Sequence, residues 1–388
     1  MSTQHGYFLI ADITGYTAYL SQSELDHAQQ TLTALLNLLI QHTQPPLIIS
    51  RLAGDAVISY GLRDNFFQGQ TFVEMIEDTY IAFRRAIDLM VLNTTCTCNA
   101  CKNIKSLDLK FFVHYGAFGI QKLDRHDEMV GADVIVIHRL LKNHVTETTG
   151  CRAYALYTDA AIRQMGLEEI CALMTKHEET YEHLGSVDVW IQDMHPVWLK
   201  KRDTARVTIP PTQVILEAST HIAAPPEVVW DYLLQPEHRI VLIGSDRMEV
   251  TDRKNGRVEV GSVFQCFHGD HPAPQTILEW HPFEQIITED LISQLPIKNC
   301  FVFSAYRLEK TSEGTRLTQG IAQSRGPWLG QVIIKLVMNM MRKQFDHDLE
   351  KFKNHIENHL SRHGTYPETS RISEDAVGAA IAESLTEA

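Results

Sequence analysis

Two apolar stretches that each break at an aspartate constrain this chain more than any other feature of it. Residues 7–10 form a run of aromatic and branched side chains, which reads as a strand buried on both faces, and Asp12 falls where that run gives way to the glycine turn Ile13-Thr14-Gly15. Asp55 comes 43 residues later, behind Gly54 and between apolar arms at 47–49 and 56–58, so residues 47–60 read as a hairpin around a Gly-Asp turn. If the first strand pairs beside that hairpin, both carboxylates face one pocket. Held close, they repel each other unless a proton or a cation lies between them, and hard oxygen ligands suit Mg²⁺ or Mn²⁺.

Either motif alone reads as an ordinary turn. Together, in this order and at this distance, Asp12-Ile13-Thr14-Gly15-Tyr16-Thr17 and the strand-borne Gly54-Asp55 resemble the catalytic domain of class III nucleotidyl cyclases, the adenylyl and guanylyl cyclase fold. The resemblance implies that Asp12, the Ile13 carbonyl and Asp55 hold two divalent cations, Mg²⁺ or Mn²⁺, and that Thr14, Gly15, Tyr16 and Thr17 wrap a triphosphate. Later in the chain, Gly131-x-x-Val134 aligns with the family's G-x-x-V-N-x-A-x-R helix, which puts Arg139 on the arginine and Ile135 on the asparagine. A guanidinium on the triphosphate, reaching across a homodimer, would stabilise charge that develops during phosphoryl transfer. Ile135 cannot orient a ribose by hydrogen bonding, so the chain departs from the family there. The purine-reading lysine and aspartate of adenylyl cyclases correspond to Arg51 and Glu128, which keep a basic-plus-acidic pair and favour ATP over GTP.

Around these motifs the helical and strand periodicities are plain. Residues 23–42 and 71–92 carry apolar side chains at helical spacing, the first stopping at Pro45-Pro46. Residues 107–120 read as a pair of strands with a turn or bulge at Gly116, residues 151–158 as a strand, 159–165 as a short helix and 182–194 as a closing edge strand. The order predicts an α/β sandwich with helices on one face of a mainly antiparallel sheet. Between the second helix and its following strand lie Cys96, Cys98 and Cys101. Three thiols so close can converge on a soft cation, Zn²⁺ or an iron–sulfur cluster, with a fourth ligand from Cys151, a nearby histidine or a second subunit. Unligated or redox-active thiols are the other readings. This insertion with its LDLKF-x-V-H-Y-G strand resembles a bacterial family of cyclase-like proteins of unknown function.

At 388 residues the chain exceeds one ordinary core, and its 44% hydrophobic content can fill two. A net charge of −13 leaves no basic footprint for nucleic acid. No apolar run reaches the roughly 18 residues of a membrane span, and the N-terminus lacks a signal-peptide pattern, which predicts a cytoplasmic protein without a transmembrane segment. Seven cysteines do not suggest a disulfide framework.

The second half changes pattern. Residues 214–243 run strand, Pro-Pro, short helix with Trp230 and Leu233; strands follow at 261–268, 276–281, 286–291, 300–309 and 314–321, then a long amphipathic helix at 328–360. This order, with the I-x-A-P-P-E-x-V-W opening, resembles the START-like helix-grip superfamily of polyketide cyclase/dehydrase type, whose curved sheet wraps a C-terminal helix around a cavity for an apolar small molecule or lipid. The helix face with Val332, Ile333, Leu336, Val337, Met340, Met341 and Phe345 would line that cavity or pack as core. His268, Asp270 and His271 form either a small polar site at its mouth or a surface loop pair.

The expected organisation is therefore α+β throughout: a ferredoxin-like class III nucleotidyl cyclase sandwich over 1–200, a linker over 201–213, a START-like helix-grip domain over 214–360 and a disordered acidic tail over 361–388. The implied function is a homodimeric signalling cyclase that converts a nucleoside triphosphate to a cyclic nucleotide under control of an apolar-ligand sensor. The alternative is a catalytically impaired nucleotide-binding module coupled to a lipid or small-molecule carrier.

Overall fold

A computed structural model of the chain describes residues 3–62, 69–123, 126–203, 207, 209–269, 271–293 and 297–363. It divides at residue 204 into two compact units.

The first unit opens with β1 (Gln4–Thr14), α1 (Tyr16–Ser21), α2 (Leu25–Thr43), β2 (Ile48–Ala53) and β3 (Ala56–Leu62). It continues with α3 (Gly69–Asn93), α4 (Asn99–Asn103), β4 (Asp108–Leu123), β5 (His126–Val130), α5 (Ala132–Leu140) and α6 (Val145–Thr149). It ends with β6 (Tyr154–Thr158), α7 (Asp159–Met165), β7 (Thr175–Tyr181), β8 (Gly185–Asp193) and α8 (His195–Asp203). The strands run in the order β2-β3-β1-β4-β6-β8-β7, with β5 against the outer half of β4, and the β4–β6 pairing is parallel. The expected succession of strand, helix, hairpin and helix is present, and the strand pair expected over 107–120 is instead the single strand β4.

β1 lies between β3 and β4, so its apolar run is covered on both faces, and residues 7–11 are all at most 4% exposed. Alternate strand residues point to opposite faces. Tyr7 meets Phe72 of α3, whereas Phe8 and Ile10 belong to the cluster that contains Val134, Ile137 and Leu140 of α5. Helices therefore cover both faces, a correction to the one-faced sandwich that the periodicities suggested; α5 is short and reads as a local motif rather than a layer. α2 contributes Leu32, Leu35, Leu36 and Leu39, all fully buried, each worth about 1.5–3 kcal/mol relative to exposure.

Three further expectations are corrected here. Gly116 is no turn: β4 runs straight through it. A Cβ there would come within 2.3 Å of the Asp133 side chain, whose carboxylate accepts the Ala117 N–H at 2.6 Å, so the glycine makes room for a carboxylate. The strand within 182–194 is β8, and it is not the edge, because β7 pairs outside it. β7 is polar at most positions, which hid it from hydropathy patterning. The linker's first residues, with their basic side chains, belong to α8, where Lys200, Lys201 and Arg202 favour the helix C-terminus.

The second unit contains β9 (Val214–Ile222), α9 (Pro226–Leu234), α10 (Pro236–Ile243), β10 (Arg247–Thr251), β11 (Val263–His268) and β12 (His271–His281). After these come β13 (Gln285–Leu291), β14 (Phe301–Thr311), β15 (Gly314–Gln323), α11 (Trp328–Met340) and α12 (Arg342–His363). The sheet is antiparallel throughout, in the order β10-β11-β12-β13-β14-β15-β9. Pro226 at the first turn of α9 fits a position whose N–H needs no helical partner, and the whole helix is buried, with Trp230 edge-on to Trp280 at 4.8 Å. α12 buries Leu349, Phe352 and Ile356 at helical spacing and packs on β9. This is the helix-grip arrangement.

The single long helix expected over 328–360 is broken at Met341. α11 buries Gly330 and Ile334 and packs Met338 on the same cluster, as Phe345 of α12 does, while Val332, Leu336, Met340 and Met341 are 50, 61, 85 and 47% exposed, so only part of the expected face packs as core. Gly330 is required because a Cβ there would sit 2.3 Å from the Cys300 sulfur. His268 and His271 face each other across the β11–β12 hairpin turn, on which Gly269 takes φ 59°, so they are a loop pair; Asp270 lies outside the described residues. Residues 364–388 of the expected tail do as well.

Candidate functional site

Strand register brings the two aspartates together. Asp12 is paired with Ala56 on one side and Lys110 on the other, and the Ile13 N–H donates to the Asp55 carbonyl at 3.1 Å. Gly54 supplies the left-handed backbone, φ 61°, that a two-residue turn between Ala53 and Ala56 needs. Burial, and next the charge of Asp55, push the Asp12 carboxyl up to about 7, with Lys110 pulling it the other way. Burial likewise raises Asp55. Two adjacent carboxyls that resist ionisation are a pair in need of a cation or a proton. Burial lowers the Lys110 ammonium, whose Nζ also lies 5.0 Å from the centre of the Tyr154 ring. Lys110 escaped the sequence reading because only the β1–β4 register puts it beside Asp12.

The turn after Asp12 is tight and holds a side chain without a partner among the described residues. Gly15 adopts φ 88°, and a Cβ there would press on the Ser106 carbonyl at 3.2 Å. Thr14 Oγ1 is buried and, among the described residues, has no hydrogen-bond partner. Tyr16 is 5% exposed, so its ring belongs to the core and only its backbone faces the turn, while Thr17 is exposed. The donor set of Asp12, Asp55 and the neighbouring carbonyls is all-oxygen, and it fits hard divalent cations.

Arg51 and Glu128, 77 residues apart, meet in a 2.8 Å ion pair at which both side chains stay half exposed. A bulge between Ile49 and Arg51 re-aims the end of β2 toward β5. Arg139 lies on the exposed face of α5 with Ile135, itself 54% exposed, and among the described residues its side chain makes no hydrogen bond or ion pair.

The cysteine cluster finds its fourth member in His27, on the first turns of α2. Its Nδ1 lies 3.2 Å from Cys98, 3.6 Å from Cys96 and 3.7 Å from Cys101 Sγ. Cys151 is not part of the group. All seven cysteines are free thiols. Nothing in the sequence marked His27, since it stands 69 residues before the first thiol on an otherwise polar helix face.

In the second unit, Arg239 of α10 is fully buried between the rings of Phe264 (4.3 Å) and Tyr306 (4.5 Å). Its Nη1 donates to the Leu233 carbonyl, but among the described residues Nε and Nη2 are buried without partners. Nearby, burial drives the Asp290 carboxyl up to about 6 although the Ser304 hydroxyl donates to it at 2.5 Å.

Comparison with known proteins gives two matches to family models. Residues 32–149 match a family described as protein of unknown function (DUF2652), and residues 213–357 match one described as polyketide cyclase / dehydrase and lipid transport. The uncharacterized protein Rv2561/Rv2562 of Mycobacterium tuberculosis is 30% identical over 119 residues, 29% of this chain and 54% of that protein; the chain thus spans about half the length of this curated relative. Among solved structures, the adenylyl cyclase CyaB from P. aeruginosa is similar at 15% identity and a TM-score of 0.36, over 50% of this chain and 97% of that one. Protein MLL2253 from Mesorhizobium loti is similar at 18% identity and a TM-score of 0.29, over 38% of this chain and 96% of that one. Each of the two compact units therefore holds one of the matched segments, a family of unknown function in the first and the polyketide cyclase and lipid transport family in the second.

Proposed function

We propose that the first unit binds a nucleoside triphosphate through divalent cations at Asp12 and Asp55 and cyclises it, ATP in preference to GTP, as a homodimer. The observation that carries this is the pairing of the two carboxyls by strand register, with burial and their mutual charge raising Asp12 to about 7. Bound Mg²⁺ or Mn²⁺ would supply Lewis acidity toward the attacking 3′-hydroxyl and the triphosphate. The chain's own residues do the rest. Asp12, the Ile13 carbonyl and Asp55 would hold the cations, and the backbone of Thr14–Thr17 with the unpaired Thr14 hydroxyl would cradle phosphate oxygens. Arg51 and Glu128 would read the base edge. Arg139, exposed and unpaired among the described residues, would serve the site of a second subunit, where its guanidinium offsets charge on the leaving phosphates.

The second unit is read as the ligand-sensing half. Its buried guanidinium, with two unpartnered nitrogens among the described residues, suits an apolar ligand that carries an acidic end.

Ile135 favours a second reading, a module that holds nucleotide without turnover, because an isoleucine occupies the position that would orient the ribose. Purified full chain incubated with ATP or GTP and Mn²⁺, beside Asp55→Asn, separates the two. Cyclic nucleotide that disappears in the variant supports the cyclase. Metal-dependent nucleotide binding with no product supports the module, and neither binding nor product removes both.

A further inference from the structure

We infer that His27, Cys96, Cys98 and Cys101 form a four-ligand zinc site, separate from the carboxylate pair, that pins the 96–101 insertion to the start of α2. The four ligand atoms all lie within 4.8 Å of one another. Zinc–nitrogen bonds of about 2.0–2.1 Å and zinc–sulfur bonds of about 2.3 Å, set at tetrahedral angles, require N···S separations of about 3.6 Å. The separations from His27 Nδ1 to the three sulfurs, 3.2, 3.6 and 3.7 Å, bracket that value.

The surrounding backbone fixes the position of the cluster. Cys98 caps α4, and the Cys101 N–H points at its sulfur at 3.4 Å, a donor that offsets sulfur charge. Glu24, three residues before His27, accepts the Ala100 N–H at 3.0 Å and fixes the loop from the other side. Three thiolates and one imidazole complete a tetrahedral shell and leave no open position, which marks a structural rather than a catalytic zinc. An iron–sulfur cubane spreads its ligands over separate irons, too far apart for atoms gathered this tightly around one point.

The consequence lies in what the site joins. Both α1 and α2 pack on α4, and α1 follows directly on the Gly15 turn. A metal cross-link between the first turns of α2 and the insertion would hold the α1–α2 corner from behind, whatever that turn binds. The site needs no nucleotide and no cyclase activity to exist.

Metal analysis of the untagged full chain tests it. One zinc per chain is expected in the parent and in Asp12→Asn, and less than a tenth of that in His27→Ala and Cys98→Ser. Against loss of the fold together with the metal in those variants, His27→Cys is the check: four thiolates should retain one zinc. Cobalt exchanged into the parent should give the intense visible absorption of tetrahedral thiolate coordination, and in His27→Cys that absorption should shift with the change from N to S. Chelation should lower the melting temperature of the parent and leave that of a folded His27→Ala unchanged. Metal-free parent protein, iron in place of zinc, octahedral cobalt, or zinc retained at full occupancy in His27→Ala would each overturn the inference.

Discussion

In the first unit the two titrating carboxyls, Asp12 and Asp55, carry like charges and meet where a central strand and a hairpin turn come side by side; in the second, Arg239 and Asp290 carry opposite charges and are enclosed by the sheet. Burial raises both aspartates, but the remedies differ. The like-charged pair is relieved only in part by Lys110, and a proton or a bound cation would relieve the rest. The opposite-charged pair is already partly compensated, since the guanidinium lowers Asp290, and what it lacks among the described residues is hydrogen-bond acceptors for Nε and Nη2 of Arg239. The first unit thus leaves a like-charged pair, and the second leaves guanidinium nitrogens without acceptors among the described residues.

The largest expected effect breaks the like-charged pair. Asp12→Asn should weaken Mn²⁺ binding by more than about 100-fold, since even second-shell partners of metal ligands are worth about 10–100-fold; calorimetric titration measures it. The same substitution changes the pH profile. The folded Asp12 keeps its proton up to about pH 7, whereas the ordinary value is 3.8, so across that interval the folded state binds more protons and the metal-free protein loses stability as pH rises. Thermal melts from pH 4 to 8 should fall through that window for the parent and recover with Mn²⁺ above pH 7, whereas in Asp12→Asn the fall should be smaller and the recovery absent. A pH-independent parent would sink the pairing.

A smaller effect tests the enclosed guanidinium. Arg239→Met keeps the stack between Phe264 and Tyr306 largely apolar and removes the donors. Hydrogen bonds to a charged group are worth about 1.5–3 kcal/mol, so a long-chain fatty acid should bind about 10–100-fold more weakly, while its methyl ester is little affected. Equal losses for both ligands would mean that Arg239 only packs.

The smallest effect has the opposite pH sign to that of Asp12. His238 of α10 faces His355 and His359 of α12 and Tyr232 of α9, with His355 Nε2 at 3.0 Å and Glu237 on its own helix. Burial first, then the charge of His355, lowers its pKa from 6.5 to about 4. The unfolded state therefore binds the proton first, and this contribution to stability is lost as pH falls below 6.5. The ring is half exposed, so screening reduces the effect to about 1 kcal/mol, or roughly 2–4 °C. Asp290 pulls the other way below pH 6. The comparison that isolates the histidine is His238→Gln against the parent, which should flatten the acid limb; identical slopes would refute it.

How much of this was written in the chain follows from the range of each interaction. Local patterning identified β1, the Gly54-Asp55 hairpin, α2, α3, α7 and the helix-grip succession, because an apolar run or a helical stripe reports its own burial. It failed wherever a partner decided. β7 is polar and exists by pairing with β8; Gly116 is a strand residue because Asp133 needs the space; the α11 face rich in Val332, Leu336 and Met340 turned outward. In the candidate sites, the chain's own motifs named Asp12, Asp55 and the three cysteines, and the cyclase resemblance named Arg51 and Glu128. Neither named Lys110, His27 or Arg239.

The sequence by itself determined which residue types were available and where the chain must turn: a strand that ends in Asp-Ile-Thr-Gly, a Gly-Asp hairpin and a tight cluster of thiols. Only the tertiary structure decided which of them meet. A two-residue strand period fixes the face a side chain takes, but the neighbour on that face comes from register between strands distant in sequence. Register put Lys110 beside Asp12. Helix packing put His27 against Cys98. Neither contact has a local signature, because both close long loops whose ends share no pattern.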